Sequence, residues 1–339
     1  MPNELCSLKE GLLLKNRWIV CQKLGAGGFG AVYVVKDKKY NLNEAALKVE
    51  SLSVKAAVLK METYVLHKLQ GKPHALKFWD AGVQDKFRFL VMQLAGSNLA
   101  DLKRDAPDQK LSCSTAVRIG IQGVEAIRDI HEIGFLHRDI KPGNFAVGKE
   151  PSDCRKVYLL DFGLSRQYFG KKPGELRPPR AKCGFRGTIR YASPNTHQGK
   201  EQGRHDDLWC LFYMLIEFKQ GVLPWQKVSN KDEVGRLKNS IDSKQLLADL
   251  PSQFHDIMKM LQKLAYADPP DYDWFIEKFR SVMRDRGYKE DAPFEWEEGG
   301  EDYKYTTIPS KKKAEAPNPY ESQMAQQKDV IRGDKSNSQ

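Results

Sequence analysis

The stretch HRDIKPGN at residues 137–144 does most to decide the fold of this chain. Asp139 is placed to accept the proton of an incoming hydroxyl group, and Asn144, five residues later, is placed to reach a magnesium ion. Lys141 between them can neutralise negative charge on a phosphoryl group in transfer. These residue types rarely meet at this spacing by chance, so the stretch predicts a catalytic loop.

A second motif follows 22 residues after Asp139, where the sequence DFG occupies residues 161–163. It comes directly after the apolar residues 157–160, which predict a short strand. A carboxylate at the end of a strand, followed by a glycine, suits Asp161 as a magnesium ligand. A lone DFG is more often an ordinary turn, but its order and spacing here favour a site.

The glycine-rich run GAGGFGAV at residues 25–32 is open to more than one interpretation. A dinucleotide-binding turn has the same GxGxxG spacing, with Glu50 at a suitable distance for a ribose, but it requires a helix directly afterwards. The β-branched residues that follow predict a strand instead, although a plain hairpin remains open. The glycines that could let backbone amides approach phosphates are Gly25, Gly27, Gly28 and Gly30.

Two charged residues lie downstream of the glycines. Lys48 ends the run AALK, 18 residues after Gly30, and Glu62 lies on a predicted helix at residues 55–69. A lysine on a rigid strand can supply one positive charge to phosphates, and Glu62 could pair with it and hold it in place. In isolation, each would be read as an ordinary surface charge.

The pattern of elements divides the chain into two parts. Residues 17 to about 90 predict strands with one helix, whereas the region after Gly96 predicts helices, with Ser112 or Ser114 as the N-cap of the first. The fold class is therefore α+β with two lobes. The predicted strands are 18–23, 31–36, 45–49 and 87–92. The predicted helices of the second part are 114–132, 207–218, 231–241, 252–263 and 272–284.

We predict an N-terminal extension at residues 1–16, one folded domain at 17–297 and a polar tail at 298–339. The domain has a small lobe at about 17–92 and a larger lobe at about 95–297. The tail is rich in Lys, Glu, Gln, Ser and Pro and poor in apolar residues, so we expect it to be disordered.

The composition of the chain limits which classes of protein it can belong to. The formal charge is +11, and the tail holds seven basic and seven acidic residues, so the excess charge lies on the folded body and favours anionic partners. No apolar run reaches the roughly 20 residues of a membrane span, and no signal peptide is evident. We expect a monomer located in the cytoplasm, with the nucleus as a second location. The six scattered cysteines predict reduced thiols, neither disulfides nor a zinc site.

Taken together, these residues resemble the eukaryotic protein kinase superfamily over about residues 18–297. The chain is most similar to the casein kinase I group, because GTIRYASPN at residues 187–195 stands where most kinases have Ala-Pro-Glu. Within that group it looks most like the tau-tubulin kinases. The matching stretches are MQL at 92–94, NLADL at 98–102, RHDDLW at 204–209, LPW at 223–225, PDY at 270–272 and FEW at 294–296.

The resemblance implies the bilobal protein kinase fold, with a strand-rich N-lobe containing one main helix and a larger helical C-lobe. It implies a serine/threonine kinase that uses ATP and Mg²⁺, with tubulin or microtubule-associated proteins among its substrates. The implied catalytic residues are Asp139, Lys141, Asn144, Asp161, Lys48 and Glu62, of which Asn144 and Asp161 bind the metal. The implied nucleotide contacts are Leu24, Gly25, Gly27, Gly28, Gly30, Val32, Ala46, Lys48, Met92, Gln93, Leu94, Asn144, Ala146 and Asp161. The backbone of residues 92–94, at the hinge, is expected to contact adenine, and Asp207 is expected to anchor the catalytic loop.

The segment after DFG is strongly basic, which suggests a preference for acidic or already phosphorylated substrates. Arg190 matches a residue of the basic anion site of the casein kinase I group, and Arg186 and Lys182 lie nearby. Cys183 stands where a second basic residue is expected. Pro194 also departs from the aliphatic residue expected there. Residues 167–186 contain no serine or threonine, so we expect activity without phosphorylation of this segment.

Three other classes were weighed against an active protein kinase. A pseudokinase would have degraded motifs, whereas every expected catalytic group is present. A nucleic-acid-binding protein would fit the charge, but no zinc-finger, helix-turn-helix or RRM signature occurs. A lipid or small-molecule kinase could share the fold, but the HRDxKxxN form with Lys141 favours protein hydroxyls.

Overall fold

The computed structural model describes residues 7–27, 30–54, 57–170 and 174–300. They form two compact units: residues 7–67 with Leu76–Leu94, and Lys68–Ala75 with residues 95–300. The short piece Lys68–Ala75 belongs to the second unit because the His74 carbonyl accepts from the Leu159 amide, at 3.0 Å. The predicted tail from residue 301 onward, and Gly28, lie outside the described residues.

The first unit contains an antiparallel sheet of six strands and one helix. The strand order is β1-β2-β3-β4-β6-β5. Strands β2 and β3 pair from Trp18 opposite Asp37 to Gly27 opposite Gly30, with two shifts of register between these ends. A strand therefore follows the glycine-rich run, and the dinucleotide-binding alternative is wrong. The elements are β1 (Leu13–Leu14), β2 (Trp18–Gly27), β3 (Gly30–Asp37), β4 (Glu44–Ser51), α1 (Val58–Lys68), β5 (Phe78–Gln84) and β6 (Phe87–Gln93).

The two faces of this sheet have different compositions. One face forms a buried core that includes Tyr33, Leu47 and Phe89. Lys48 pairs in register with Val32 on one side and with Leu90 on the other. Because side chains alternate between faces along a strand, Lys48 lies on the face opposite that core. The other side chains on that face include Val32, Val34, Ala46 and Met92.

Gly30 has a structural reason to be glycine that the sequence did not reveal. A Cβ at this position would lie 1.7 Å from the carbonyl oxygen of Val49 on β4. Strands β3 and β4 therefore approach too closely for any other residue without movement of the backbone. The expected approach of the Gly30 amide to phosphates stays a prediction.

The second unit is mainly helical, with two small two-stranded sheets. Helix α5 is buried almost all round, as its apolar sequence predicts, and α3 begins at the Ser112 cap, whose side chain accepts from the Thr115 amide. Strand β7 pairs with β10, and β8 pairs with β9. The elements are α2 (Leu99–Asp105), α3 (Cys113–Glu132), β7 (Phe135–Leu136), β8 (Phe145–Val147), β9 (Val157–Leu159), β10 (Arg166–Gln167), α4 (Pro194–His197), α5 (Arg204–Gln220), α6 (Lys231–Ser240), α7 (Ser243–Leu246), α8 (Gln253–Lys263) and α9 (Tyr272–Arg286).

Several small elements were absent from the sequence prediction. The missed strand β5 is half-exposed and contains Asp80 and Gly82, which disfavour a strand on propensity alone. Helix α2 is only seven residues long and is capped by Asn98. Pro194 occupies the first turn of α4, where proline costs no hydrogen bond, so its unexpected identity is accommodated.

Within the part of the chain that the structure describes, no helix combines the length and the apolarity of a membrane span. The five cysteines in this part are free thiols, and Cys6 lies outside it.

Candidate active site

Lys48 and Glu62 form an ion pair within the first unit. The Lys48 ammonium lies 2.6 Å from Glu62 Oε2, and the Glu62 side chain is only 3% exposed. Lys48 is fixed by β4, and Glu62 projects from the middle of α1. A carboxylate this buried needs a partner, so the pair fixes the lysine side chain and the position of the helix at the same time.

One of the residues expected at the hinge makes a hydrogen bond within the sheet. The backbone amide of Gln93 donates to the carbonyl oxygen of Lys77, at 2.8 Å, within the first unit. This amide therefore takes part in the pairing of β5 with β6. The expected contact of the backbone of residues 92–94 with adenine stays a prediction. Of the other expected nucleotide contacts, Leu24 is exposed, whereas Ala46 and Ala146 are buried in their respective units.

Asp139 lies at the centre of the candidate site in the second unit. The Thr188 hydroxyl donates to Asp139 Oδ1 at 2.8 Å, and the Lys141 ammonium lies 2.8 Å from Oδ2. The Asn144 side-chain amide donates to the Asp139 carbonyl, also at 2.8 Å. The carboxylate is thus held in one orientation, and it already accepts a hydrogen bond from a hydroxyl group. This arrangement suits a group that orients an attacking hydroxyl.

The backbone of the catalytic loop is anchored by Asp207, as predicted. Its carboxylate accepts from the amides of His137 and Arg138, both at 2.8 Å, and lies 2.9 Å from His131 Nε2. Burial opposes ionisation of this group, but the hydrogen bonds from His131 and the His137 amide, together with the electrostatic effect of the two imidazoles, outweigh it and lower the pKa of Asp207. Arg138 adopts a φ of 68°, an unfavourable conformation that these bonds stabilise.

The histidines of this region are structural. His131 contacts Asp207 and the hydroxyl of Tyr272, and His137 Nε2 contacts the Leu160 carbonyl. In the described ranges, no group of three or more His, Cys, Asp or Glu residues could hold a metal ion. The sequence-based view that neither His131 nor His137 is a metal ligand is compatible with these contacts.

Asp161 follows β9 and has a left-handed backbone, with φ 61° and ψ 74°. Such a conformation is costly for any residue other than glycine and is common at functional sites. The Asn144 amide nitrogen is committed to Asp139, which turns its oxygen to the other side. The side-chain atoms that Asn144 and Asp161 can offer to a metal ion are thus oxygens, which are the ligands that magnesium prefers.

Glu201 is a charged residue of this region that the sequence did not single out. Its side chain, 4% exposed, accepts two hydrogen bonds from Arg180, at 2.5 and 2.9 Å, and lies 3.5 Å from Arg166 Nε. The bonds from Arg180 lower the pKa of Glu201 to about 2. This carboxylate therefore neutralises part of the basic segment after DFG and ties two of its positions to the residues before α5.

The residues predicted to form an anion site do not share one environment. Arg190 lies 3.2 Å from the buried carboxylate of Glu217, whereas Lys182 and Arg186 are exposed. Positive charge nevertheless remains in excess near Asp139. Burial, together with repulsion from Arg166 and other arginines, lowers the pKa of Arg138 to about 10.

We expect Glu201→Gln to lower the free energy of unfolding at pH 7 by about 3 kcal/mol, the value of a pKa difference of roughly 2.5 units between folded and unfolded states. Because the folded-state pKa is depressed, this stabilisation is complete above the unfolded pKa and is lost as the pH falls from about 4.5 towards 2. Urea unfolding of the wild type and of Glu201→Gln, at pH 7 and at stepwise lower pH, measures this difference in the free energy of unfolding. The exposed Glu150→Gln is the control. An equal deficit at every pH would contradict the assignment.

Comparison with known proteins gives the class that this fold and these residues define. A model of the protein kinase domain matches residues 18–271. The chain therefore belongs to the protein kinase family, and the two-unit α+β architecture is the kinase fold that the sequence predicts.

Its relatives narrow the class further. A Dictyostelium discoideum protein named as a serine/threonine-protein kinase is 42% identical over 287 residues, which are 85% of this chain and 58% of that protein, so this chain spans less than two thirds of that relative. A Caenorhabditis elegans protein with the same kind of name is 40% identical over 86% of this chain and 85% of its own length. A second C. elegans protein, named as a casein kinase I, is 34% identical over 85% of this chain and 86% of its own length. This chain is a serine/threonine protein kinase.

Proposed function

We propose that this kinase transfers the γ-phosphate of ATP to protein hydroxyls as a member of the casein kinase I group, similar to the tau-tubulin kinases. The observation that carries the proposal is the environment of Asp139, whose carboxylate is held by Lys141 and already accepts a bond from the hydroxyl of Thr188. The casein kinase I name of one C. elegans relative supports the group.

Each candidate residue has a proposed role in this reaction. Asp139 orients the attacking hydroxyl and accepts its proton, while Lys141 offsets negative charge on the group in transfer. Lys48, held by Glu62, pairs with the phosphates of ATP. Asn144 and Asp161 would hold magnesium through their side-chain oxygens. When bound, the metal would offset charge on the phosphates.

We further propose that the enzyme is active without phosphorylation of the segment after DFG. Tyr168 is the only hydroxyl-bearing residue between Arg166 and Gly187. It is 5% exposed, and its hydroxyl donates to the His131 carbonyl at 2.7 Å. A kinase could not reach it without local unfolding. Glu201 supplies the internal negative charge that a phosphate provides in many kinases.

The remaining positive charge supports a preference for acidic or already phosphorylated substrates. Of the three residues predicted for this role, Lys182 and Arg186 are exposed, whereas Arg190 already has Glu217 as a partner. Charge-assisted contacts from such side chains would favour an anionic residue near the target hydroxyl. On the tau-tubulin resemblance, tubulin or proteins bound to it are the proposed natural substrates.

Matched peptides test this preference. We expect unphosphorylated enzyme, verified by mass spectrometry, to show a kcat/KM about tenfold higher, or ~1.4 kcal/mol, on a peptide with a phosphoserine near the target serine than on its unmodified twin. Arg186→Gln should reduce that ratio, and Lys263→Gln, an exposed change on α8, should not. Arg190 is avoided because its loss would remove an ion-pair partner of the buried Glu217. Equal rates on the two peptides would refute the preference, and inactive unphosphorylated enzyme would refute independence from phosphorylation.

A further inference from the structure

Lys238 on α6 is a buried cation that the proposed chemistry does not use. It is 4% exposed, and no carboxylate lies within ion-pair distance of it among the residues that the structure describes. Burial lowers its pKa well below the ordinary value. Lysine is almost never this buried without an acidic partner, so its other contacts must account for it.

Three neutral acceptors surround the Lys238 ammonium. The carbonyl oxygens of Ile189 and Ala192 lie 2.9 and 2.7 Å from Nζ, and His197 Nε2 lies at 3.3 Å. His197 Nδ1 lies 3.0 Å from the carbonyl of Lys231, and Nε2 lies 3.3 Å from that of Ile189. We assign the ring proton to Nδ1, which has the shorter contact, and Nε2 then accepts from Lys238. Each ammonium proton therefore has one acceptor.

Two aromatic rings complete this environment. Nζ lies 4.9 Å from the ring centroid of Tyr213 and 5.0 Å from that of Trp225. Both rings are buried, so they attract the cation in a medium with little water. Burial holds the pKa of His197 at about 4, and the imidazole is neutral at physiological pH. It therefore does not repel the ammonium.

The two carbonyls belong to residues 188–192, which we call the docking segment. Its first residue, Thr188, donates to Asp139, so the segment borders the place where an incoming hydroxyl must meet that carboxylate. Its middle is held separately, because Trp225 Nε1 donates to the Arg190 carbonyl at 2.8 Å. Lys238 on α6 and Trp225 in the loop before α6 thus each bind the backbone of the docking segment.

The bend at the start of the segment is equally specific. Gly187 has a φ of 105°, and a Cβ there would lie 2.6 Å from the Arg138 carbonyl. The chain therefore turns tightly against the catalytic loop immediately before the docking segment. Two carbonyls three residues apart, both directed at one nitrogen, then fix the course of the backbone beyond that turn.

We propose that Lys238 is a positioning residue for the protein substrate, which it affects through the shape of the docking segment. A buried cation costs more than an apolar side chain of similar size, so a lysine here is explained by the backbone conformation that it specifies. The inference rests on the proposed role of Asp139, which makes residues 188–192 the neighbours of the target hydroxyl. The contacts of Lys238 are with the docking segment and with the residues that lie next to that segment.

The test is steady-state kinetics with peptide and ATP varied separately. We expect Lys238→Met, which keeps the unbranched stem against the two rings, to raise the KM for peptide about tenfold or more and to change the KM for ATP less than twofold. Lys244→Met, an exposed change on α7, should alter neither value. Thermal unfolding of each variant shows whether it is folded.

A second variant keeps the inference testable if Lys238→Met does not fold. Trp225→Phe removes the hydrogen bond to the Arg190 carbonyl and retains a ring, so it should raise the peptide KM several-fold by the same mechanism. An unchanged peptide KM in folded Trp225→Phe or folded Lys238→Met would overturn the proposal, as would an equal rise in both KM values. A wrong assignment of Asp139 can be distinguished from a wrong role for Lys238. It would appear as undiminished activity of Asp139→Asn, whatever the kinetics of the Lys238 variants.

Discussion

Replacing Asp139 with asparagine is expected to lower kcat on a protein substrate by about 10²–10⁴, the usual contribution of a general base or hydroxyl-orienting group. The amide keeps the size of the carboxylate and can still accept from Thr188 at one oxygen. It cannot take up the proton of the incoming hydroxyl, and it removes the negative charge beside Lys141. The loss should therefore appear in the rate, while ATP still binds.

Phosphotransfer from radiolabelled ATP measures the rate, and a fluorescent nucleotide measures binding. The matched control is Asp285→Asn, which makes the same chemical change at an exposed position of α9, where Asp285 accepts a hydrogen bond from the Gln253 side chain. Near-normal activity of Asp139→Asn would show that the catalytic loop is assigned wrongly. A parallel loss of nucleotide binding would point to a general disturbance of the site.

Much of the fold was accessible from the sequence because its elements have strong local patterns. Helix α3 has regular apolar spacing and a serine cap, and α5 is apolar all round, so both were predicted to within a few residues. The pairing of Lys48 with Glu62 was accessible for a different reason. Their positions on a strand and on the following helix match a known family pattern, and the ion pair forms within one unit.

The features that escaped prediction depend on contacts between distant parts of the chain. Glu201 lies 21 residues beyond Arg180, outside the basic segment after DFG, and no local spacing connects the two residues. The buried state of Lys238 cannot be read from a helix whose other charges are exposed. The commitment of the Gln93 amide to Lys77 likewise follows from the pairing of β5, a strand that the sequence did not reveal.

Replacing Lys48 with methionine is expected to have two separable effects. Loss of the cation proposed to pair with the phosphates should lower the rate of phosphotransfer by about 10²–10³, the typical cost of removing one electrostatic stabiliser. The buried Glu62 carboxylate, 3% exposed, would also lose its ion pair with Lys48, which should lower the free energy of unfolding by about 3 kcal/mol.

A second substitution separates these effects, because Glu62→Gln removes the buried charge that Lys48 balances. The double variant Lys48→Met/Glu62→Gln should recover most of the lost stability in urea unfolding but none of the lost phosphotransfer. Lys36→Met, an exposed change on the neighbouring strand β3, is the control for loss of a lysine from the sheet. If activity returned together with stability in the double variant, Lys48 would serve only to pair with Glu62. Its proposed contact with the phosphates of ATP would then be wrong.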